Sequence, residues 1–147
     1  MKISIQELKR LSKKAILKYG YSEEEAQIIL DMLMYAQMRG NNQGIVKLIG
    51  KGLPKNEKAQ TPTIEKETPT TAIINANLSM EAIAMEQAVN MVIKKAKEMG
   101  IAVVGTHTGD EIIRSCWLLV TKDSGCRFNW YYDVKLPLRD GSSCRIL

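Results

Sequence analysis

The chain lacks any apolar run approaching the ~20 residues that cross a bilayer, and Met1-Lys2-Ile3-Ser4-Ile5-Gln6-Glu7 carries no apolar leader. Membrane and secreted classes are set aside, and a cytoplasmic protein is the expectation. Aromatic residues make up only 5% of the chain, and His107 is its one histidine. Cysteine is scarce as well. Cys116, Cys126 and Cys144 form no Cys-x-x-Cys pair and, with one His, no metal-ligand spacing. No metal site is expected, and free thiols in a reducing compartment are the default. RNA-recognition signatures and metal-finger spacings are missing too. At 147 residues, one domain with a modest core is the natural size.

The scarcity is uneven along the chain. All three Cys, both Trp and the only Phe fall between Cys116 and Leu147, so the first 115 residues contain none of these types. Two compositional regimes meet somewhere after Gly105. Charge is uneven as well. The net charge is +5, and residues 1–60 hold 11 basic against 6 acidic side chains, Lys9, Arg10, Lys13, Lys14 and Lys18 among them. That pattern reads as a solvated helix face rather than a nucleic-acid site. The alternative function it leaves is a small basic helical module that binds RNA or protein without catalysis.

Ser4 followed three residues later by Glu7 makes a capping box, and Ile5, Leu8, Leu11, Ala15 and Ile16 recur on one helical face. Gly20 is a natural terminator. Ser22 and Glu25 repeat the signature before Ala26, Ile29, Leu30, Leu33 and Ala36, with a stop near Gly40. These spacings predict helices over 4–19 and 22–39, joined as an αα-hairpin. A short apolar segment runs from Ile45 to Leu53, and Pro54 to Pro62 reads as an exposed loop. Strands are predicted over 63–67, 71–76 and 101–105. Between the last two lies a helix over 79–99, capped by Ser79, with Ala82, Met85, Val89, Val92 and Ala96 inward and Gly100 ending it. Ala72-Ile73-Ile74 and Ile101-Ala102-Val103-Val104 both read as buried. The fold class is α/β, an N-terminal helical hairpin followed by a strand–helix–strand unit of a mixed sheet.

Ile5-Gln6-Glu7-Leu8, Gly20-Tyr21-Ser22-Glu23-Glu24-Glu25-Ala26, Ala36-Gln37-Met38-Arg39-Gly40, Thr68-Pro69-Thr70-Thr71-Ala72-Ile73-Ile74 and Ala96-Lys97-Glu98-Met99-Gly100-Ile101-Ala102-Val103-Val104-Gly105 succeed one another in a distinctive order. In that order and spacing the chain resembles the N-terminal part of the malate/L-lactate dehydrogenase family. These are NAD(P)-dependent oxidoreductases, ureidoglycolate and sulfolactate dehydrogenases among them, with a fold that is not the Rossmann fold. The resemblance implies a nicotinamide cofactor, NAD or NADP, a small 2-hydroxy or 2-oxo acid as substrate, and a homodimer in the full-length proteins. The lack of long apolar runs and the charge distribution point away from a membrane and from nucleic acid as partners.

Family members carry Arg-Gly, a few variable positions, Ser-His-Gly-Val and then an Arg three residues after the Gly. The resemblance gives the His proton exchange with the substrate hydroxyl, and the Arg the substrate acid. In Arg39-Gly40-Asn41-Asn42-Gln43-Gly44-Ile45-Val46-Lys47-Leu48 it places Gln43 at the His position and Lys47 at the Arg position. Lys47 can attract a carboxylate without a bidentate fork. Gln43 can orient a carbonyl but exchanges no proton near neutral pH. His107 comes just after a predicted strand and is most simply a loop residue. It is also a cofactor-binding candidate, because ligands of α/β proteins gather at strand C-terminal ends.

Residues 1–107 therefore read as the N-terminal part of a dehydrogenase domain, and 108–147 as a tail without family character. A one-base shift accounts for the tail. With the first base of each codon dropped from Cys116 to Asp133, Trp117 and Trp130 must both become Gly. An allowed reading is Ala-Gly-Tyr-Trp-Leu-Leu-Lys-Ile-Ala-Asp-Ala-Gly-Leu-Ile-Gly-Ile-Met-Met, which resembles the next segment of family members. The expectation is an incomplete, inactive fragment whose tail is poorly ordered.

Overall fold

A computed structural model describes residues 3–40 and 44–110, together with the backbone course of strands over 115–121 and 129–132. It divides into two compact units, Met1–Glu57 and Lys58–Leu147.

The first unit is helical. Helix α1 (Ile5–Lys18) starts where its cap dictates, with the Ser4 hydroxyl accepting from the Glu7 N–H at 3.2 Å. Helix α2 (Glu23–Met38) opens on a complete capping box. Glu25 N–H donates to Ser22 Oγ at 3.2 Å and Ser22 N–H to Glu25 Oε2 at 2.9 Å. Gly20, between the helices, has φ +91°, the left-handed region that favours glycine. A short helix α3 (Ile45–Gly50) takes up most of the apolar segment predicted from Ile45 to Leu53. Ile16, Ala26, Ile29, Leu30, Leu33, Met34, Ile45, Leu48 and Leu53 form the core.

The stripe predicted on α1 is only partly inward. Ile16 is fully buried, and Ser12 joins it, whereas Ile5 and Leu11 are 51% and 44% exposed. At about 100° per residue, Ser12 and Ile16 lie on one line with Leu8, and Leu11 falls at the edge of that line. Ile5 is in the first turn, at the end of the hairpin.

The second unit is a five-stranded sheet in the order β1 (Thr63–Glu67), β2 (Thr71–Asn75), β3 (Ile101–His107), β4 (Ser115–Thr121), β5 (Asn129–Tyr132). Strands β2 and β3 pair in parallel through helix α4 (Glu81–Met99), and the other neighbours pair antiparallel. The sheet is mixed, as predicted. Ala84, Met85, Ala88, Val92 and Ala96 of α4 pack on Ala72, Ile74, Ala76, Ala102 and Val104. The many alanines let helix and sheet approach closely. Lys95, only 8% exposed, holds the helix to the β1–β2 turn by donating to the Thr68 carbonyl at 2.6 Å and pairing with Glu67 at 2.8 Å.

Two local expectations differ from what is observed. Strands β2 and β3 read as continuously buried, but the burial alternates along β2 and over the first four residues of β3, with Ile73 and Val103 half-buried and Ile101 49% exposed; Val104, Gly105 and Thr106 are buried in succession. A single helix covers one face only, so alternate residues stay on the other. Ser79 was expected to cap the helix; instead the cap is Met80, with no side-chain hydrogen bond, and α4 starts at Glu81. The cause is non-local. Asp110 N–H donates to the Ser79 carbonyl at 2.9 Å and Met80 bridges Asp110 in parallel, so the chain prolongs the β2–β3 ladder before it turns into helix. The expectation for 108–147 falls largely outside the described residues. Those described there are 108–110 and strands β4 and β5, with β4 paired to β3 over its whole length.

Candidate functional site

Gln43 lies outside the described residues. Lys47 sits half-buried on α3. Gly44 is the α3 N-cap, where a Cβ would come within 2.6 Å of the Gln37 backbone nitrogen. Only glycine tolerates that approach. Of the basic residues on α1, Arg10 pairs with Glu7 at 2.7 Å and Lys13 with Glu23 at 3.0 Å, which partly neutralises the positive face.

His107 ends β3, beside Asn75 of β2 in the parallel register. Its Nε2 lies 2.9 Å from Glu65 Oε2 and its Nδ1 2.7 Å from Thr108 Oγ1. Both ring nitrogens are thus engaged. Glu65 reaches across because β1 carries a bulge between Ile64 and Lys66, which leaves it as the extra residue and re-aims its side chain. Its other oxygen accepts from Asn75 Nδ2 at 2.9 Å. The hydrogen bonds from His107 and Asn75 hold the Glu65 carboxyl below its usual range. Asn75 Oδ1 in turn accepts from the Asn77 N–H at 2.9 Å. The polar chain thus runs from the bulge to the β2–α4 loop.

On the α4 face of the same strand ends is Glu81, which in the sequence stands out only as an acid near a helix start. Glu81 is 6% exposed; its Oε1 accepts from Thr106 Oγ1, and its Oε2 is buried with no partner. Ser79, 3% exposed, has a buried unpartnered hydroxyl. Burial pushes the Glu81 carboxyl up from its usual range, against the Thr106 hydroxyl and the charge of His107. Gly109 covers Oε2, and a Cβ there would fall on it. A signal for this residue existed: Glu81, Met85, Ala88 and Val92 share the inward stripe of α4 at helical spacing.

The backbone around Glu81 is also unusual. Asn77, Leu78 and Thr108 have φ of 49°, 59° and 57°, the left-handed conformations of non-glycine residues among the described ones. The two loops that carry them are joined by Ala76 N–H to the His107 carbonyl at 2.8 Å and Leu78 N–H to the Thr108 carbonyl at 2.9 Å. A shallow hollow of about 420 Å³ lies elsewhere, along Glu67, Pro69, Gln87, Lys94 and Met99, by the C-terminal half of α4. Lys95 in its wall is already held by Glu67 and Thr68. Among the described residues no cluster of acidic, His or Cys side chains could hold a metal, and no helix is long and apolar enough to cross a membrane.

A family model described as malate/L-lactate dehydrogenase matches residues 3–118. L-sulfolactate dehydrogenase of Methanocaldococcus jannaschii is 31% identical over 111 residues, 69% of this chain and 31% of the relative. Ureidoglycolate dehydrogenase (NAD(+)) of Escherichia coli is 30% identical over 112 residues, 71% of this chain and 32% of the relative. In structure, malate dehydrogenase of Entamoeba histolytica matches with a TM-score of 0.65 at 29% identity, over 76% of this chain and 32% of that one. Malate dehydrogenase of Pyrococcus horikoshii matches with a TM-score of 0.68 over 94% of this chain and 52% of that one; at 18% identity the likeness is one of fold. The chain spans about a third of the length of the curated relatives it matches.

Proposed function

We propose that this chain, which belongs to the malate/L-lactate dehydrogenase family, is the N-terminal part of an NAD(P)-dependent oxidoreductase acting on a small 2-hydroxy acid or the matching 2-oxo acid. The observation that carries the reading is the family match over residues 3–118. Relatives named for sulfolactate, malate and ureidoglycolate support the substrate class. In this reading Lys47 attracts the substrate carboxylate as a point charge, and Gln43 orients its oxygen without exchanging a proton. His107 at the end of β3 is the cofactor-binding candidate, where a cofactor hydroxyl or carboxamide would take the place of Glu65 or Thr108 at one ring nitrogen. When bound, the cofactor supplies the acceptor or donor of hydride at C2 of the acid. NAD and NADP are both compatible with these groups. The proposal puts the protein in the cytoplasm, with a homodimer as the full-length state.

We also propose that residues 1–107 belong to the dehydrogenase domain and that 108–147 are its next segment read one base out of frame. The family match runs to residue 118 and so overlaps the first part of that segment. Two measurements test these readings. Fluorescence titration with NADH and NADPH is expected to show weak or no binding to this chain. Binding is expected in the product of a gene corrected by one base between the codons for Gly105 and Cys116. A corrected frame that closes within a few codons would end the frameshift reading. A corrected, full-length product that neither binds a nicotinamide cofactor nor oxidises malate or sulfolactate would end the functional one.

A further inference from the structure

Helix α2 carries an exposed stripe that its own fold does not use. Ala26, Ile29, Leu30, Leu33 and Met34 turn one side of the helix to the core. On the opposite side Asp31, Met32, Tyr35, Met38 and the C-cap Arg39 are all exposed, Tyr35 and Met38 by 61% and 62%. At about 100° per residue these five fall within an arc of about 120°, with Tyr35 in its middle. Large apolar side chains scattered singly over a surface are ordinary, whereas three on one helical face mark a place where something docks. A hollow of about 310 Å³ lies against the same stripe, walled on the α1 side by Ile5 and Lys9.

The order of charges on the stripe selects the occupant. Asp31, Tyr35 and Arg39 follow one another four residues apart, with the acid at one end, the ring at the centre and the base at the other. Met32 and Met38 flank the ring, each three residues from it. Positions 31 and 39, and likewise 32 and 38, are thus centred on 35. A second α2, run antiparallel about a two-fold axis through Tyr35, meets the first with Arg39 opposite Asp31 at both ends, Met38 opposite Met32, and ring beside ring. Within one chain the acid and the base are two turns, about 12 Å, apart along the helix. Neither has an ion-pair partner among the described residues: Asp31 accepts from the Gln27 amide at 3.1 Å, and Arg39 lies over the Tyr35 ring, 3.5 Å from its centroid. The Asp31 carboxylate keeps free lone pairs and Arg39 keeps its N–H fork, so a bidentate pair between two copies breaks no existing bond.

We propose that the exposed face of α2 is a self-association surface, on which a second copy of this chain docks antiparallel about a two-fold axis at Tyr35. This gives a surface to the homodimer proposed above, but it rests on the stripe itself and not on the dehydrogenase reading. The apolar centre supplies the attraction, since the Tyr35 rings and the methionines beside them leave water together. The Asp31–Arg39 pairs at the rim fix the direction, because a parallel arrangement would set Asp31 against Asp31 and Arg39 against Arg39. A single helix pair lies at the small end of protein interfaces, so the association is expected to be concentration-dependent.

Sedimentation velocity of the whole chain, from micromolar to millimolar concentration, is the test. A reversible monomer–dimer equilibrium is expected. Asp31→Arg leaves two bases on the stripe and Arg39→Asp leaves two acids. Each alone sets like charges against each other and is expected to weaken the dimer at least about tenfold. Mixed in equal amounts, the two variants are expected to associate as a heterodimer, because every acid then faces a base. That recovery also shows that both are folded. The double variant Asp31→Arg, Arg39→Asp, with the charges exchanged, is expected to form a homodimer again. Tyr35→Glu, which meets its own charge on the axis, is expected to be monomeric. A wild-type chain that stays monomeric throughout overturns the proposal and leaves the stripe to a partner of another kind. A dimer indifferent to both single reversals places the contact elsewhere and overturns it too. So does loss of the dimer in the single variants with no recovery on mixing or in the double variant. None of these outcomes bears on nicotinamide binding, so failure here is separate from failure of the functional reading.

Discussion

Helices α2 and α4 begin in opposite ways. At the start of α2, Ser22 and Glu25 satisfy each other's backbone, and the Glu25 carboxylate also binds the Lys55 ammonium at 2.7 Å. At the start of α4, Ser79 caps nothing, Glu81 leaves one oxygen unpartnered, and the preceding residues Asn77 and Leu78 are left-handed. Both begin with the same residue types, a Ser and then a Glu within three positions. The difference lies in what surrounds them. The α2 start answers to its own local sequence, whereas the α4 start is fastened to the end of β3 by the bridge between Met80 and Asp110. A helix end that departs from local rules while held by distant chain is where function is to be sought.

The largest expected effect comes from crowding the α4 start. Gly109→Ala places a Cβ on Glu81 Oε2, and overpacking of this kind is expected to destabilise by about 1–3 kcal/mol in urea unfolding. An unchanged midpoint would show that the Thr108–Gly109 cover shifts freely.

Next comes one substitution made at both helix starts. Ser22→Ala removes a capping box and is expected to lose about 1 kcal/mol. Ser79→Ala removes a buried hydroxyl that bonds nothing, and is expected to leave stability unchanged or raise it. Equal losses would mean that the Ser79 hydroxyl has a partner in solution, such as a buried water.

The two glutamates should differ in the sign of their pH dependence. Burial alone would raise the Glu25 carboxyl, but the Lys55 hydrogen bond and charge and the Ser22 backbone bring it below its usual 4.5. Its contribution is therefore present above pH 4.5 and is lost as pH falls through the lower folded value. Glu81 is raised by burial, so the fold loses stability as pH climbs from 4.5 through its higher folded value. Glu81→Gln is thus expected to stabilise the protein at neutral pH, with the gain fading below 4.5, and Glu25→Gln to destabilise it at neutral pH. Thermal midpoints across that range read both. The smallest effect belongs to the solvent-exposed pair on α1: Arg10→Ala is expected to leave the thermal midpoint unchanged.

The same contrast governs what is legible in the sequence. Helices α1 and α2 can be read almost to the residue, because Ser4–Glu7, Ser22–Glu25 and Gly20 act within one turn. The start of α4 cannot, because the ladder contact that displaces it joins residues far apart in sequence. Ala72-Ile73-Ile74 looks uniformly buried, since side-chain type does not say whether one or both faces of a strand are covered. Glu65 gives no signal at all: the bulge that aims it at His107 belongs to the pairing of two strands, not to either one. Glu81 is within reach of the helical period, but an acid in a first turn reads more readily as a dipole residue.

The parallel pairing of β2 and β3 also bears on the order of folding. Ile74 and Thr106 are register partners, yet all of α4 lies between them in the chain. Closing so long a loop costs entropy before any ladder bond returns it, whereas α4 and the β1–β2 hairpin need only near neighbours. Amides of β2 and β3 facing each other should therefore gain protection together in pulsed hydrogen exchange, after α4 has formed. The left-handed residues at the far end of that ladder, Leu78 and Thr108, would be the last to lock and the first to release.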